Sequence, residues 1–424
     1  MMTESNDVSR RNFLRTLAVA SGAALSLPLM PMASNAADFT NTMTGTGKSR
    51  KWKVGVMLDA ESAASESLLT GMHHAFERAG AIGPEGSIDL IIEDIGSETR
   101  RIAPKAKKLM DRDSADVVLA HVNSHTSSRL SRALEAERTV FIEMNAGEIV
   151  PNTKSAHPYL FRSTLNLWQA YVALGAWAAS IYGKRGAICA SFFNSGFGFH
   201  SAFSYGFESA GGEIVAIKVT DAPSGVSGTL DEIWDSLRMS NLDVLFASFS
   251  SHEARHFSQL FRGSGLTVPL VGTNFRDEVN RIGIGESWTR EHVHASSWSA
   301  DLGGNNVAFM SEYREKIGKD PDAYSVLGYD TANLLLEALK AVHPSSGTNA
   351  LRHALSSVRS TSPRGELVMD HTTQSVVSPL YRIAGGANSD MVELLEAPSD
   401  LAVQLQNHHS TSHTGGWLNT YEFA

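Results

Sequence analysis

Short, uninterrupted apolar runs alternate with longer runs of helical periodicity through most of this chain, and this alternation most restricts its fold. The first half contains four such runs, WKVGVML, IDLIIE, DVVLA and TVFIE. Between them, apolar residues recur at helical spacing over residues 66–79, 99–111 and 127–137. Strands that are apolar at every position need both sheet faces covered, as in a parallel sheet flanked by helices. The sequence therefore predicts an α/β fold.

The same alternation begins again at residue 165 and predicts a second α/β unit of similar size. Strands are predicted at 186–190, 213–219, 243–249 and 268–271, and helices at 165–182, 199–210, 229–239 and 253–262. A further strand at 292–297, a long amphipathic helix at 325–342 and a strand–turn–strand segment at 363–384 follow. The tail is rich in Ser, Thr, Asn and His and is expected to be irregular.

The first 36 residues have the three parts of a bacterial export signal. The pair Arg10-Arg11 precedes Phe13-Leu14, an uncharged apolar run covers residues 16–29, and small residues lead to Ala36. The pattern resembles the twin-arginine (Tat) class, and a basic N-terminal helix is the alternative. The apolar run is shorter than the roughly 20 residues of a membrane-spanning helix. We therefore expect cleavage near Ala36, followed by a flexible leader at 37–50.

Composition excludes several classes of function. The chain carries 36 Lys and Arg against 45 Asp and Glu, a net charge of −9, whereas nucleic-acid binding needs a basic balance or a clustered basic face. The single cysteine, Cys189, rules out an intrachain disulfide and multi-cysteine zinc or iron–sulfur sites. Its place in an apolar strand predicts a buried, inert thiol. Walker A, G-x-S-x-G and G-x-G-x-x-G motifs are absent from the sequence, so we expect no cofactor and no nucleic-acid partner.

The order of several short motifs resembles the type I periplasmic solute-binding proteins of ABC transporters, in the branched-chain amino-acid and amide class. The motifs are Thr70-Gly71-Met72, Ser124-His125-Thr126-Ser127, Tyr159-Leu160-Phe161-Arg162, Ser195-Gly196-Phe197-Gly198 and Leu327-Gly328-Tyr329-Asp330. The resemblance covers residues 51–385. It implies two Rossmann-like lobes joined by three crossovers, with the solute in the cleft between them.

The resemblance also implies a domain organisation and a function. Lobe 1 would contain residues 50–162 plus 273–344, lobe 2 residues 163–272 plus 345–393, and the tail residues 394–424. The protein would be a periplasmic, non-catalytic receptor that captures a small polar solute such as an amino acid, an amide or a related carboxylate. Its partners would be the solute, the permease subunits of an ABC transporter and, during export, the Tat translocase. A sensor of the same fold that signals to a partner protein is the alternative.

Two segments of lobe 1 carry candidate ligand-binding residues. Ser124, His125 and Thr126 open a helix directly after a strand, where hydroxyls and free backbone N–H groups suit an anion such as a carboxylate. A plain helix cap is the alternative. By the resemblance, the loop Asn145-Ala146-Gly147 supplies backbone contacts to the solute, and a surface turn is the alternative.

Two segments of lobe 2 complete the candidate site. By the resemblance, Ser195 and Phe197 lie in a small glycine-containing loop at the cleft, and a structural turn is the alternative. Glu253 matches the acidic residue that pairs with a solute ammonium through charge-assisted hydrogen bonds. Its alternative role is to stabilise the N-terminus of its own helix.

The segment His252-Glu253-Ala254-Arg255-His256 also matches the zinc-protease pattern H-E-x-x-H. Histidines at i and i+4 share a helix face, so a periplasmic metal-dependent hydrolase is a rival hypothesis. We favour the receptor because the pattern follows a predicted strand by only two residues, whereas metalloproteases place it well inside a helix. No third ligand motif follows, and Arg255 would bring a cation next to the metal. We therefore expect neither a metal site nor an enzyme.

Overall fold

Both predicted α/β units are present in the computed structural model of the protein. The structure describes residues 50–96, 99–147, 157–191, 198–220, 226–274, 292–385 and 391–396. The predicted export signal, residues 37–49 of the leader and the tail from 397 onwards lie outside the described residues. Within the described ranges, no helix is long and apolar enough to cross a bilayer.

The strands and helices follow the predicted alternation closely. In chain order the strands are β1 (Trp52–Leu58), β2 (Ile88–Asp94), β3 (Val117–His121), β4 (Val140–Asn145), β5 (Leu160–Thr164), β6 (Arg185–Ala190), β7 (Glu213–Val219), β8 (Val244–Ser248), β9 (Leu270–Gly272), β10 (Val293–Ser296), β11 (Arg359–Ser362), β12 (Gly365–Asp370), β13 (Ser375–Val377), β14 (Tyr381–Ala384) and β15 (Met391–Leu394). The α-helices are α1 (Ala63–Arg78), α2 (Ile102–Lys107), α3 (Ser124–Glu137), α4 (Leu167–Ile181), α5 (Phe199–Ser209), α6 (Val226–Met239), α7 (Ser251–Gly263), α8 (Asn305–Ile317), α9 (Ala323–Lys340) and α10 (Gly347–Leu355).

The first lobe is built on a mixed sheet whose strand order is β11-β12-β13-β5-β4-β3-β1-β2. Strands β1 to β5 pair in parallel, and the hairpins β11-β12-β13 extend the sheet beyond β5. Every residue of β3, β4 and β5 is buried, because helices cover both faces of the sheet. The uninterrupted apolar runs of the sequence reflect this two-sided burial.

The second lobe repeats the design with the strand order β15-β14-β10-β9-β8-β6-β7. Strands β6 to β10 pair in parallel, and the antiparallel strands β14 and β15 close one end. Cys189 in β6 is fully buried, and burial raises the pKa of its thiol to about 12. The predicted burial of this thiol is therefore confirmed.

Each lobe contains two helices that approach closely through a pair of glycines. A Cβ built on Gly71 of α1 would lie 1.9 Å from the carbonyl oxygen of Ser325 in α9. A Cβ built on Gly328 of α9 would lie 2.0 Å from the carbonyl oxygen of Leu68 in α1. The two backbones can touch only because neither glycine has a side chain. The second lobe repeats this arrangement between α4 and α5, through Gly175 and Gly206.

The chain passes between the two lobes three times, at residues 165–166, 297–304 and 378–380. The amide of Asn166 in the first crossover donates to the carbonyl of Val376 over 2.8 Å, and its side-chain oxygen accepts from the Ser378 hydroxyl over 2.8 Å. These bonds tie the first crossover to the third. Two α/β lobes joined by three crossovers agree with the fold class predicted from the sequence.

The observed division of the chain differs from the predicted division, in which lobe 1 took residues 273–344 and lobe 2 took residues 345–393. Strand β10 belongs to the second sheet, whereas β11, β12 and β13 belong to the first. The described part of the first lobe therefore contains residues 50–164 plus 305–377, and that of the second contains residues 167–296 plus 381–395. The physical reason is that β9 and β5 each have an unpaired edge until a later strand joins it. Which later strand joins which edge depends on long-range contacts that the local sequence does not encode.

Candidate functional site

The carboxyl ends of the parallel strands in both sheets lie next to the crossovers. Strand β5 ends at Thr164, directly before the first crossover, and β10 ends at Ser296, directly before the second. Parallel strands end at the same edge of their sheet, so the strands that pair with β5 and β10 end there too. Open parallel sheets bind ligands beyond this edge. The candidate site therefore consists of the residues that follow these strands.

A fully buried carboxylate, Glu143, organises the site in the first lobe. The Ser124 hydroxyl donates to Glu143 Oε1 over 2.5 Å, and the Ser127 hydroxyl donates to Oε2. The Asn145 amide donates to Oε1 over 2.7 Å. The buried Arg162 guanidinium lies 3.6 Å from Oε2 and supplies the compensating charge. Sequence analysis missed Glu143 because it reads only as the polar last residue of the run TVFIE.

This network decides what Ser124 can offer to a solute. A hydroxyl carries one proton and two lone pairs. Because the proton of Ser124 is donated to Glu143, its oxygen can offer only lone pairs to a third group. The arrangement therefore suits an ammonium, amide or hydroxyl group better than the carboxylate predicted from sequence.

The N-terminus of α3 is also capped from within the chain. The side chain of Asn123 accepts a 2.9 Å hydrogen bond from the backbone N–H of Thr126, and the Thr126 side chain is buried. A helix cap, the alternative role predicted for this segment, is therefore observed at the backbone N–H of Thr126.

The loop of Asn145, Ala146 and Gly147 contacts the first crossover. The carbonyls of these three residues accept hydrogen bonds from the backbone N–H groups of Leu165, Leu167 and Trp168, over 3.2, 3.1 and 2.8 Å respectively. Gly147 has a φ of +76°, a conformation that other residues rarely adopt. The loop thus joins the carboxyl end of β4 to the start of α4 in the second lobe.

His121, the last residue of β3, is a further polar group at this edge. Its Nδ1 lies 2.9 Å from the Ser65 hydroxyl, and its ring packs edge-on against Tyr324 at 5.7 Å between centroids. Burial lowers the pKa of His121 to about 4, so the imidazole is neutral at physiological pH. The neutral imidazole therefore adds no charge at this edge of the sheet. Its position at the end of an apolar strand is the signal that could have identified it.

Glu253 lies in the first turn of α7, directly after β8 of the second lobe. Its side chain is half-buried, and this burial raises the pKa of its carboxyl group, while a hydrogen bond with Ser191 opposes the shift. Ser191 itself follows β6 and is fully buried. Glu253 therefore occupies the carboxyl edge of the second sheet, as the sequence analysis expected. A partly desolvated carboxylate at this edge is electrostatically suited to pair with a cation.

An aromatic cluster lies beneath this edge of the second lobe. The ring of Tyr171 in α4 packs against Phe199 of α5 at 5.1 Å and edge-on against Phe246 of β8 at 5.5 Å. These rings pack α4 and α5 against the sheet.

Most of the chain matches a known protein family. The sequence profile described as "Periplasmic binding protein" matches residues 51–386, which contain the first sheet, the second sheet up to β14 and all three crossovers. The chain belongs to the periplasmic binding protein family. This confirms the membership predicted from the order of the sequence motifs.

Curated relatives of this periplasmic binding protein have low sequence identity to it but align over most of its length. The "Leu/Ile/Val-binding protein homolog 6" of Brucella suis biovar 1 (strain 1330) is 21% identical over 319 residues, which cover 72% of this chain and 79% of the relative. The homologue of the same name from Brucella abortus (strain 2308) gives the same identity and coverage.

Solved structures share the fold over 82% of this periplasmic binding protein. An ABC transporter substrate-binding protein from Sphaerobacter thermophilus matches with a TM-score of 0.72 at 22% identity, over 97% of its own chain. A solute-binding protein from R. palustris in complex with benzoate gives 0.68 at 22% identity, also over 97% of its chain. The branched-chain amino acid transporter substrate binding protein LivJ from Streptococcus pneumoniae, in complex with isoleucine, gives 0.66 at 16% identity, over its entire chain. At these identities the likeness establishes the fold.

The predicted site residues of this periplasmic binding protein fall into two groups. The structure places Ser124, Thr126, Glu253 and the loop 145–147 at the carboxyl edges of the two sheets. Ser195 and Phe197 lie outside the described residues, and the side chain of His125 is not described. The remaining residues of the site, Glu143, Arg162 and His121, were identified only from the structure.

The H-E-x-x-H segment occupies the first turn of α7, as the sequence analysis anticipated. Glu253 of this segment is engaged with Ser191, and the side chain of His252 is not described. In the portion of the chain that the structure describes, no group of three or more His, Cys, Asp or Glu side chains could hold a metal ion.

Proposed function

We propose that this protein captures a small solute bearing an ammonium or amide group, and that it delivers the solute to an ABC permease. The solute would bind between the two carboxyl edges, with Ser124 and the loop 145–147 on one side and Glu253 on the other. Such a solute is an amino acid, an amide or a related compound. This role agrees with membership of a periplasmic family of binding proteins.

The observation that carries the proposal is the partly desolvated carboxyl group of Glu253. An isolated carboxylate that loses water is destabilised unless a cation or donors compensate it. A solute ammonium would supply that compensation from the cleft. On the opposite side, Ser124 gives its proton to Glu143 and so offers lone pairs to a donor group. Both walls therefore favour a solute that donates hydrogen bonds.

Two relatives by fold bind chemically different solutes, isoleucine and benzoate. Both carry a carboxylate, but only isoleucine also carries an ammonium group. The proposed site distinguishes the two because Glu253 would attract the ammonium and repel benzoate. We therefore place this protein's solute nearer to the amino-acid and amide class.

The test is a thermal-shift screen of the mature chain with isoleucine, isoleucinamide, related amino acids and amides, and benzoate. A ligand that binds only the folded state raises the melting temperature. We expect shifts from compounds with an ammonium or amide group and none from benzoate. Binding of benzoate with no response to any amine or amide would contradict the proposal.

Calorimetry on a charge variant then tests the role of Glu253 with the best compound of the screen. Glu253→Gln keeps the shape of the side chain and removes its charge, so binding should weaken by about 2–5 kcal/mol. Glu208→Gln is the matched control, because Glu208 is an exposed glutamate of the same lobe. Equal affinities for the two variants would remove Glu253 from the ligand site.

The route of export is a separate part of the proposal. The paired arginines of the N-terminus support export by the Tat translocase, because its receptor reads the arginines rather than the hydrophobicity of the signal. Replacement of Arg10 and Arg11 by Lys should retain the precursor in the cytoplasm, as followed by cell fractionation. Normal periplasmic amounts of the double variant would indicate another route.

A further inference from the structure

The guanidinium group of Arg364 is completely buried at the junction of the two lobes. Arg364 lies in the turn between β11 and β12 and has no exposed surface, and its partner Asp330 of α9 is 1% exposed. Arg364 Nε donates to Asp330 Oδ2 over 2.7 Å. This pair plays no part in the candidate ligand site.

Arg364 contacts both sides of the junction. Its Nη1 donates to the carbonyl of Thr164 over 3.1 Å and to the hydroxyl of Ser297 over 2.9 Å. Thr164 is the last residue before the first crossover, and Ser297 is the first residue of the second. The backbone carbonyl of Arg364 accepts a 2.7 Å hydrogen bond from the hydroxyl of Tyr381, which follows the third crossover. A single residue therefore bonds to the chain at all three connections between the lobes.

Burial of this ion pair contributes little to the free energy of unfolding. A buried charge pair loses most of its Coulombic gain to desolvation, and apolar residues of similar volume often stabilise a fold as well or better. The Nη2 nitrogen of Arg364 has no hydrogen-bond partner among the described residues, which adds to the cost. What the guanidinium supplies instead is a rigid, planar set of donors that fixes the relative positions of several acceptors.

We propose that Arg364 is a positioning residue that sets the angle between the two lobes. Rotation of one lobe against the other moves Thr164, Ser297 and Tyr381 relative to one another. The guanidinium fork of Arg364 is satisfied only over a narrow range of positions of Thr164 and Ser297, so it holds the lobes near one angle. Without it, the three crossovers allow the lobes to sample a wider range of angles.

The test measures the distance between the lobes in solute-free protein and needs no knowledge of the solute. Spin labels are attached to cysteines introduced at two exposed helical positions, Ala103 in the first lobe and Ser180 in the second. The native Cys189 stays unlabelled because it is fully buried. Pulsed electron–electron double resonance then gives the distribution of distances between the two spin labels. We expect Arg364→Lys to broaden this distribution at least twofold, because an ammonium cannot replace the planar fork.

Arg382→Lys is the matched control. Arg382 pairs with Glu393 and stacks on Trp177, all within the second lobe, so its replacement should leave the distance distribution unchanged. If Arg364→Lys does not fold, Ser297→Ala takes its place, because it removes only the contact to the second crossover and keeps the ion pair. The proposal is overturned if the folded variant gives the wild-type distribution, or if Arg382→Lys broadens the distribution equally.

Discussion

The close approach of α1 and α9 makes Gly71→Ala a sharp test of packing in the first lobe. The added Cβ would lie 1.9 Å from the carbonyl oxygen of Ser325 and 2.8 Å from its carbonyl carbon. A carbon and an oxygen in contact need about 3.3 Å. The obstacle is backbone inside a helix, so no side-chain rotation can relieve it. The two helices must therefore move apart by roughly 1.4 Å, in a core that is packed at crystal density.

The size of the effect follows from two opposing contributions. Overpacking of a core costs about 1–3 kcal/mol, and a clash with backbone lies at or beyond the upper end. Alanine is a better helix former than glycine by about 1 kcal/mol, which offsets part of the cost. We expect a net loss of about 2 kcal/mol in the free energy of unfolding. This corresponds to a melting temperature lower by roughly 4–8 °C.

The assay is urea unfolding followed by circular dichroism, with the slope of the transition checked for constancy. Gly263→Ala is the control, since a Cβ on Gly263 of α7 meets nothing within 4 Å. That variant should be unchanged or more stable by up to about 1 kcal/mol. The packing argument is refuted if the two variants unfold at the same urea concentration.

Three further outcomes are expected. Burial raises the pKa of Glu253, so the folded state holds this proton more tightly than the unfolded chain, and stability is lost as pH rises through the folded-state pKa. Glu253→Gln should thus raise the melting temperature of solute-free protein near pH 8 but not near pH 4. Equal shifts of the melting temperature at the two pH values would argue against a raised pKa of Glu253. Gly147→Ala places a Cβ 2.8 Å from Thr164 Oγ1 at a φ of +76°, so the free energy of unfolding measured in urea should fall by about 1–3 kcal/mol. Gly83→Ala is the control, because its Cβ would meet nothing within 4 Å. A smaller loss of stability in Gly147→Ala than in Gly83→Ala would contradict this expectation. Cys189, with a pKa of about 12, should react with a disulfide reagent only in denaturant, and rapid reaction of the native protein would show that its strand opens.

Prediction from sequence succeeded where the signal is local. The apolar run at 52–58 coincides with β1, because a strand buried between helix layers must be apolar along its length. The predicted strand at 213–219 coincides with β7, which lies at the edge of its sheet and is largely exposed. The motif order identified the family through features such as Gly71, whose place in α1 is imposed by the contact with α9. Glu253 lies in the first turn of the helix that follows β8, where the sequence predicted a helix start after the run 243–249.

Other parts of the site could not be predicted because their meaning depends on distant partners. Glu143 is a single polar residue at the end of an apolar run, and its role appears only when Ser124, Ser127 and Arg162 surround it. The proton of Ser124 is consequently directed to Glu143. From the sequence alone we expected that hydroxyl to serve a solute anion, whereas in the structure it donates to Glu143.

By itself, the sequence determined the alternation of strands and helices, the presence of two α/β units and the family to which they belong. These properties depend on periodicity and on short motifs, which neighbouring residues encode together. Tertiary structure alone decided which sheet receives the strands after residue 273, and it alone brought Arg364 to Asp330, Ser297 and Thr164, which lie 34, 67 and 200 residues away along the chain. The reason is that an open strand edge or a buried guanidinium can pair with any suitable group that the folded chain brings within hydrogen-bonding distance. No local sequence pattern specifies that group.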